Sequence, residues 1–284
     1  MRKKNLENLV KNISDFDQKV EKLNWRVKSQ EKLFKLAILS FGACLFLMIV
    51  YGFTFAVENS ATQFFTVANL ILSICNYGFI LLFYVVLSEQ FIISAFCIRF
   101  RLKAINTYLI QCFNGRLQPI KEILLINHAA NLFDILADAV DAINETSSKQ
   151  ALIFSSILLE IISVYFLIKY FVFNMPMGLI TFADFVVWII CLIIPKFLAI
   201  HASSSCSKEA RKLNILIDKH LSTCKNDAIF QKLKMFSSKI QLRAIAFNSG
   251  LFNIDWTLVS TIFSAIATYM IIIFQFERES SVLT

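Results

Sequence analysis

Near the C-terminus, Thr257, Thr261, Ser264, Thr268 and Gln275 share one face of a hydrophobic segment. At 100° per residue they fall within a sector of about 60°, and most of the remaining circumference is Leu, Ile, Val, Phe and Met. Hydroxyls and a carboxamide in line, with no base beside them, solvate rather than react. Inside lipid they require water or other protein across from them. A helix lining an aqueous path, repeated about a symmetry axis, supplies both. The ordinary alternative is that membrane Ser and Thr back-bond to their own carbonyls or let neighbouring helices pack closely.

Other chemistry-bearing residues are sparse. The three histidines (His128, His201, His220) form no metal-ligand spacing with Cys or acidic residues, and neither a Gly-rich phosphate loop nor a nucleophile elbow occurs. The sequence therefore points away from catalysis and from any metal or cofactor. Ionisable side chains inside apolar spans are costly. Lys169 and Asp184, placed symmetrically about the 174–178 turn, reach similar depth and are expected to pair, unless Lys169 snorkels to the headgroups. Glu160 lies deeper. Asn69, Ser73, Asn76 and Tyr77 follow helical spacing on one span, with Tyr84 further along, and Tyr165 and Trp188 add aromatic surface from two others.

These residues must be positioned by helices. The chain has 284 residues, is 57% hydrophobic and contains 29 Phe but only 6 Gly and 3 Pro, which fits an all-α integral membrane protein and not a barrel of alternating strands. Five spans are expected: 34–57, 64–87, 151–173, 179–200 and 256–276. No secretory signal is expected, because the first apolar run starts after more than about thirty mostly polar residues. Lys and Arg number ten up to Lys35, six over 88–150 and ten over 196–255; the turns at 58–63 and 174–178 have none, and the tail has only Arg278. The positive-inside rule then places the N-terminus in the cytosol and the C-terminus outside. The net charge of +8 belongs to these membrane-flanking segments and calls for lipid, not nucleic acid, as partner. All seven Cys fall on spans or cytosolic connections, so no disulfide framework is expected, and the sequons at Asn12 and Asn144 are expected to carry no glycan.

The expected organisation follows. A basic, partly helical lead-in (1–33) precedes the 34–57 span. The next helix, 64–112, continues past the 64–87 span because no Gly or Pro interrupts the pattern from there through Arg99, Arg101 and Lys103 to Cys112. Asn114-Gly115 ends it, and Pro119 starts an amphipathic cytosolic helix within 113–150, covering 119–145, with Ile123, Leu124, Ile126, Leu132, Leu136 and Val140 opposed to Lys121, Glu122, Asp134, Asp138 and Asp141. After the 151–173 and 179–200 spans, 201–255 is a cytosolic region in which Ser203 to Cys206 introduces a Lys-rich run and 226–249 forms another amphipathic helix. The 256–276 span and a 277–284 extracellular tail complete the chain. The apolar faces of the cytosolic helices need partners, either one another or other subunits.

Thr268-Tyr269, five apolar residues and then Gln275-Phe276 resemble the motif that closes the last helix of insect gustatory receptors; Phe247, Gly250, Leu251, Phe252 and Asp255-Trp256 ahead of it fit too. A looser likeness runs from His128 to Ile143-Asn144. The resemblance is strong over 225–276 and topological elsewhere. It implies a ligand-gated cation channel of the plasma membrane of chemosensory neurons, assembled as a homo- or heterotetramer through a cytosolic anchor and opened by a small-molecule tastant bound in the outer half of the bundle. Asn69, Ser73, Asn76, Tyr77, Tyr165, Lys169, Asp184 and Trp188 become its pocket candidates. Thr261, Ser264 and Thr268 would line the pore, with Gln275 as a polar ring and Phe276 or Phe274 as a hydrophobic constriction. Glu277 and Glu279, partly offset by Arg278, would bias the mouth toward cations. Such receptors have seven membrane helices, and the five here correspond to the third through seventh. A truncated, non-conducting or regulatory subunit is therefore the alternative. A G-protein-coupled receptor is disfavoured by the outward C-terminus, and a transporter by the lack of an internal repeat or Gly/Pro-broken spans.

Overall fold

The computed structural model describes residues 2–21, 42, 46, 67–115, 118–145, 161, 163–165, 179–249 and 252–282. Six helices account for most of them: α1 (Arg2–Glu21), α2 (Val67–Asn114), α3 (Pro119–Asn144), α4 (Leu179–Thr223), α5 (Asp227–Leu242) and α6 (Trp256–Val282). Among the described residues the only extended pairing is an isolated antiparallel bridge between Asn248 and Asn253. The expected spans at 34–57 and 151–173 lie almost wholly outside the described residues, as do Glu160 and Lys169 and hence the expected Lys169–Asp184 pair.

The chain forms two compact units. The first comprises Met1–Phe34, Phe91–Ser147 and Ile200–Asp255; the second comprises Lys35–Gln90, Ser148–Ala199 and Trp256–Thr284.

In the first unit α3 is the central element. Gln118 enters it in extended conformation, and Pro119, which has no N–H to leave unpaired, begins it. Ile126, Ala129, Leu132, Phe133, Leu136, Ala137, Val140 and Ile143 are buried, and α3 packs against both α1 and α5. Phe133 meets Phe236 of α5 edge to face at 6.1 Å. The apolar face begins later than the pattern indicates: Ile120 and Leu124 are exposed. Nor are the acidic residues of the opposite face simply solvated. Lys239 Nζ donates to Asp134 Oδ2 at 2.6 Å, and Arg243 Nη2 donates to Asp138 Oδ1 at 2.5 Å and Asp141 Oδ2 at 2.9 Å.

Two helices have bounds that the pattern does not give. α4 continues beyond the expected 179–200 span and runs unbroken to Thr223, through Pro195. No Gly or Pro follows Pro195 in this stretch, and the small residues Ala202, Ser203 and Cys206 are buried within the helix instead of opening a loop. α5 starts with an Asn226 cap, whose side chain accepts from Ala228 N and Ile229 N, but ends at Leu242, short of 249. The following strand-like segment buries Ile245 and Phe247 and finds its backbone partners elsewhere. Asn144 Nδ2 donates to Ala246 O at 2.9 Å, Asn248 N donates to Asn144 Oδ1 at 3.1 Å, and Ser207 Oγ donates to Ile245 O at 3.0 Å. Side-chain amides thus replace the helical ladder, which periodicity cannot reveal.

Candidate functional site

α6 carries the polar stripe. Thr257, Thr261, Ser264, Thr268 and Gln275 are all exposed. The covered residues of the helix are Leu258 and Met270, buried, and Val259, Ile262, Ala265, Ile266, Ile273 and Phe274, half-buried; on the helical wheel this broad sector is centred roughly 160° from the stripe. The stripe therefore runs down the middle of the uncovered face. It is flanked by the exposed apolar side chains of Phe263, Ile271 and Ile272. The hydroxyls also back-bond: Thr261 Oγ1 donates to Thr257 O at 3.2 Å and Thr268 Oγ1 to Ser264 O at 2.8 Å. Back-bonding uses the proton and leaves oxygen lone pairs directed outward.

The two phenylalanines beside Gln275 have different surroundings. Phe274 is half-buried, its ring 6.3 Å from that of Tyr165, whereas Phe276 is 70% exposed. A pocket candidate and a constriction candidate are thus brought into contact. At its start α6 is held by Trp256, whose ring lies 6.2 Å from Phe197 of α4. Asn69, Ser73, Asn76 and Tyr77 lie on α2, Asp184 and Trp188 on α4, and Glu277 and Glu279 on the last turns of α6. The side chains of these eight lie outside the described ones.

The first unit contains polar contacts that periodicity does not disclose. Arg101 of α2 is 2% exposed yet fully engaged: Nε donates to Asp17 Oδ1 at 3.0 Å, Nη2 to Asp17 Oδ2 at 2.5 Å and Nη1 to Cys97 O at 3.1 Å, with Phe16 beneath the guanidinium. Asn106 of α2 donates to Glu209 O of α4 at 3.0 Å, and Glu209 accepts from Lys212 at 2.8 Å. His220 of α4 meets Glu122 of α3. The Arg101–Asp17, Asn106–Glu209 and His220–Glu122 partnerships join different helices 84 to 103 residues apart, so only the fold reveals them. Burial pushes the thiols of Cys97, Cys112 and Cys206 up from the ordinary range, which keeps them protonated and unreactive near neutrality. Hydrogen bonding to Asp138 raises Arg243 further.

A family model described as 7tm chemosensory receptor matches residues 1–279. The chain belongs to this chemosensory receptor family.

As a chemosensory receptor it is similar to putative gustatory receptor 28b of Drosophila melanogaster, with 29% identity over 171 residues. That stretch is 55% of this chain and 35% of the Drosophila protein, so the match spans about a third of the curated relative's length. Two solved structures share its fold. The insect olfactory receptor OR5 from Machilis hrabei in complex with eugenol superposes with a TM-score of 0.68 at 13% identity, covering 87% of this chain and 68% of that one. A second structure of the same olfactory receptor gives a TM-score of 0.66 at 11% identity, covering 86% and 67%. The receptor is thus an all-α membrane protein with the fold of an insect olfactory receptor. The family is one of receptors, not enzymes, and among the described residues no group of three His, Cys, Asp or Glu is placed to hold a metal ion.

Proposed function

We propose that the chain is a gustatory chemoreceptor acting as a ligand-gated, cation-permeable channel of the chemosensory neuron plasma membrane, with α6 lining the pore. The observation that carries this reading is the polar stripe centred on the uncovered face of α6. Facing lipid, the Gln275 carboxamide would be costly, even though Thr261 and Thr268 back-bond; facing copies of itself across an axis, it and the outward hydroxyl oxygens are hydrated. The proposed topology has five spans, a cytosolic N-terminus and an external C-terminus, and the proposed assembly is a homo- or heterotetramer. A small tastant would bind among Asn69, Ser73, Asn76, Tyr77, Tyr165, Lys169, Asp184 and Trp188. It would bias the closed–open equilibrium through the Tyr165–Phe274 contact, which joins this set to the end of α6. Gln275 and Phe276 form the gate in this scheme, with Glu277 and Glu279 at the mouth.

Whole-cell recording of cells expressing the chain, against sugars and bitter compounds, tests the reading. A ligand-evoked cation current that Gln275→Ala changes by about twofold or more is expected. A surface-expressed chain that stays silent but alters the current of a co-expressed receptor would make it a regulatory subunit instead.

A further inference from the structure

Along one seam of the first unit, α2 and α4 gather positive charge that no exposed carboxylate answers. Asn106 of α2 meets Glu209 of α4, and Phe113 of α2 stacks on His220 of α4, so the two helices run parallel there. With the Asn106–Glu209 contact as the line of closest approach, the helical wheel fixes what flanks it. On α2, Arg99 lies about 20° and Lys103 about 60° beyond Asn106, away from the buried side. On α4, Lys212 lies about 60° and Lys208 about 100° beyond Glu209, again away from the buried side. The two displacements have opposite sense, so in parallel right-handed helices they open to the same side. Lys103, Lys208 and Lys212 are exposed, and Arg99 is half-buried. The Cys206 thiol, raised by burial, is drawn the other way by the Arg99 guanidinium, which puts Arg99 at the same seam.

Over 91–114 and 200–223 the two helices carry only two carboxylates, Glu209 and Asp218. Glu209 is 8% exposed, and its oxygens face Asn106 and Lys212, the latter at 2.8 Å. Asp218 lies half a turn round α4 from Glu209 and accepts from Ser237 of α5 at 2.8 Å. Asp17 of α1 is taken by Arg101, which sits on the other flank of α2, about 140° from Asn106. One carboxylate thus stands against four cations at the seam. Orientation in a membrane needs only a number of Lys and Arg beside the spans; it does not need them to converge from two helices on one line.

We propose that this α2–α4 seam binds the headgroup of a phosphorylated inositol lipid. Lys208 and Lys212 lie eight and twelve residues beyond Ile200, where the expected 179–200 span ends. Along the helix axis that is about 12 and 18 Å. The polar layer of one bilayer leaflet is only about 5–8 Å deep. A lipid that ends its charge at the phosphodiester stops short of these lysines. One that carries phosphates on a sugar ring projects toward them, and its several negative charges match the excess at the seam. The Arg99 guanidinium offers paired donors to phosphate oxygens, and the three ammonium groups act as point charges around them. The topology proposed above puts the seam on the cytosolic leaflet. That placement rests on the proposed orientation, whereas the binding surface rests on how α2 and α4 pack.

The experiment is fluorescence polarisation of a labelled short-chain phosphatidylinositol bisphosphate with the full chain in detergent. Lys103→Gln combined with Lys208→Gln is expected to weaken binding about tenfold or more. Lys121→Gln combined with Lys234→Gln, which removes two exposed lysines of α3 and α5, should change it less than about twofold. Lys212 is left in place because it neutralises Glu209. Lys103→Arg combined with Lys208→Arg keeps both charges and should retain the affinity, which separates lost charge from a disturbed fold. Equal losses in the seam and control pairs, or an equal loss in the arginine pair, overturn the proposal. Phosphatidylserine that competes as well as the labelled lipid overturns the inositol assignment, and soluble inositol trisphosphate that competes as well overturns the lipid in favour of a free phosphate ligand. No current is read, so a chain that stays silent in recordings counts against the channel and leaves the seam standing.

Discussion

α3 and α6 are each long and apolar enough to cross a membrane, yet their surroundings are opposite. α3 turns its apolar side chains into the core of the first unit, and its acidic residues meet Lys239, Arg243 and His220. α6 leaves Phe263, Ile271 and Phe276 exposed, and the stripe hydroxyls of Thr261 and Thr268 bond to the helix's own backbone. The first helix is completed by its own chain; the second is completed only by something outside it. Length and hydropathy cannot distinguish these cases. The placement of polar groups and the identity of their partners can.

The largest expected difference is in stability. Leu136→Ala on α3 opens a cavity in a fully packed core and should cost about 2–5 kcal/mol, whereas Ile271→Ala on α6, 59% exposed, should cost less than about 0.5 kcal/mol in the isolated subunit. Denaturation of the detergent-solubilised monomer measures both, and equal losses would dissolve the contrast. A smaller gap separates their polar residues. Asn144→Ala removes two hydrogen bonds from the segment after α5 and should lower stability by about 1–2 kcal/mol, while Thr268→Val forfeits a back-bond worth less than about 0.5 kcal/mol. The same denaturation assay ranks them, and a Thr268 effect as large as that of Asn144 would mean the stripe is structural. The smallest effect concerns thiol chemistry. Thr268→Cys should react with a water-soluble thiol reagent near pH 7.5 if the stripe lines water, whereas Cys206 should stay unmodified, its thiol buried and raised above the ordinary 9.0. By the same sign, Cys206 contributes stability below pH 9 that is lost as pH rises, readable as a lower melting temperature in alkali than in a Cys206→Ala control.

Much of this was legible because apolar periodicity survives in one chain. The long extension of α2, the Pro119 start of α3 and the face shared by Thr257 to Gln275 all follow from spacing. The end of α5 did not, because it depends on Asn144 reaching a segment about a hundred residues away. The continuity of α4 beyond residue 200 was not legible, because the apolar span ends there and the small residues Ala202, Ser203 and Cys206 give no sign of the burial they find. The partners of Arg101 and His220, Asp17 and Glu122, are remote in sequence and could be matched only once the helices were packed. Phe274 and Phe276 are both phenylalanines within one turn, and only packing against Tyr165 separates them.

The unbroken course of α2 across 48 residues carries a constraint on how the gene can change. A substitution alters one side chain, but a one-residue insertion upstream of Phe91 rotates everything beyond it by about 100°. With the preceding residues held in place, Arg101 would take the site of Leu102, Ala104 that of Ile105 and Tyr108 that of Leu109, so one codon would spoil a whole buried face. Four inserted residues would leave a phase error of only about 40°. Length variation among functional copies should accordingly be absent from this helix, or come in steps near a full turn, and collect in the connections between helices.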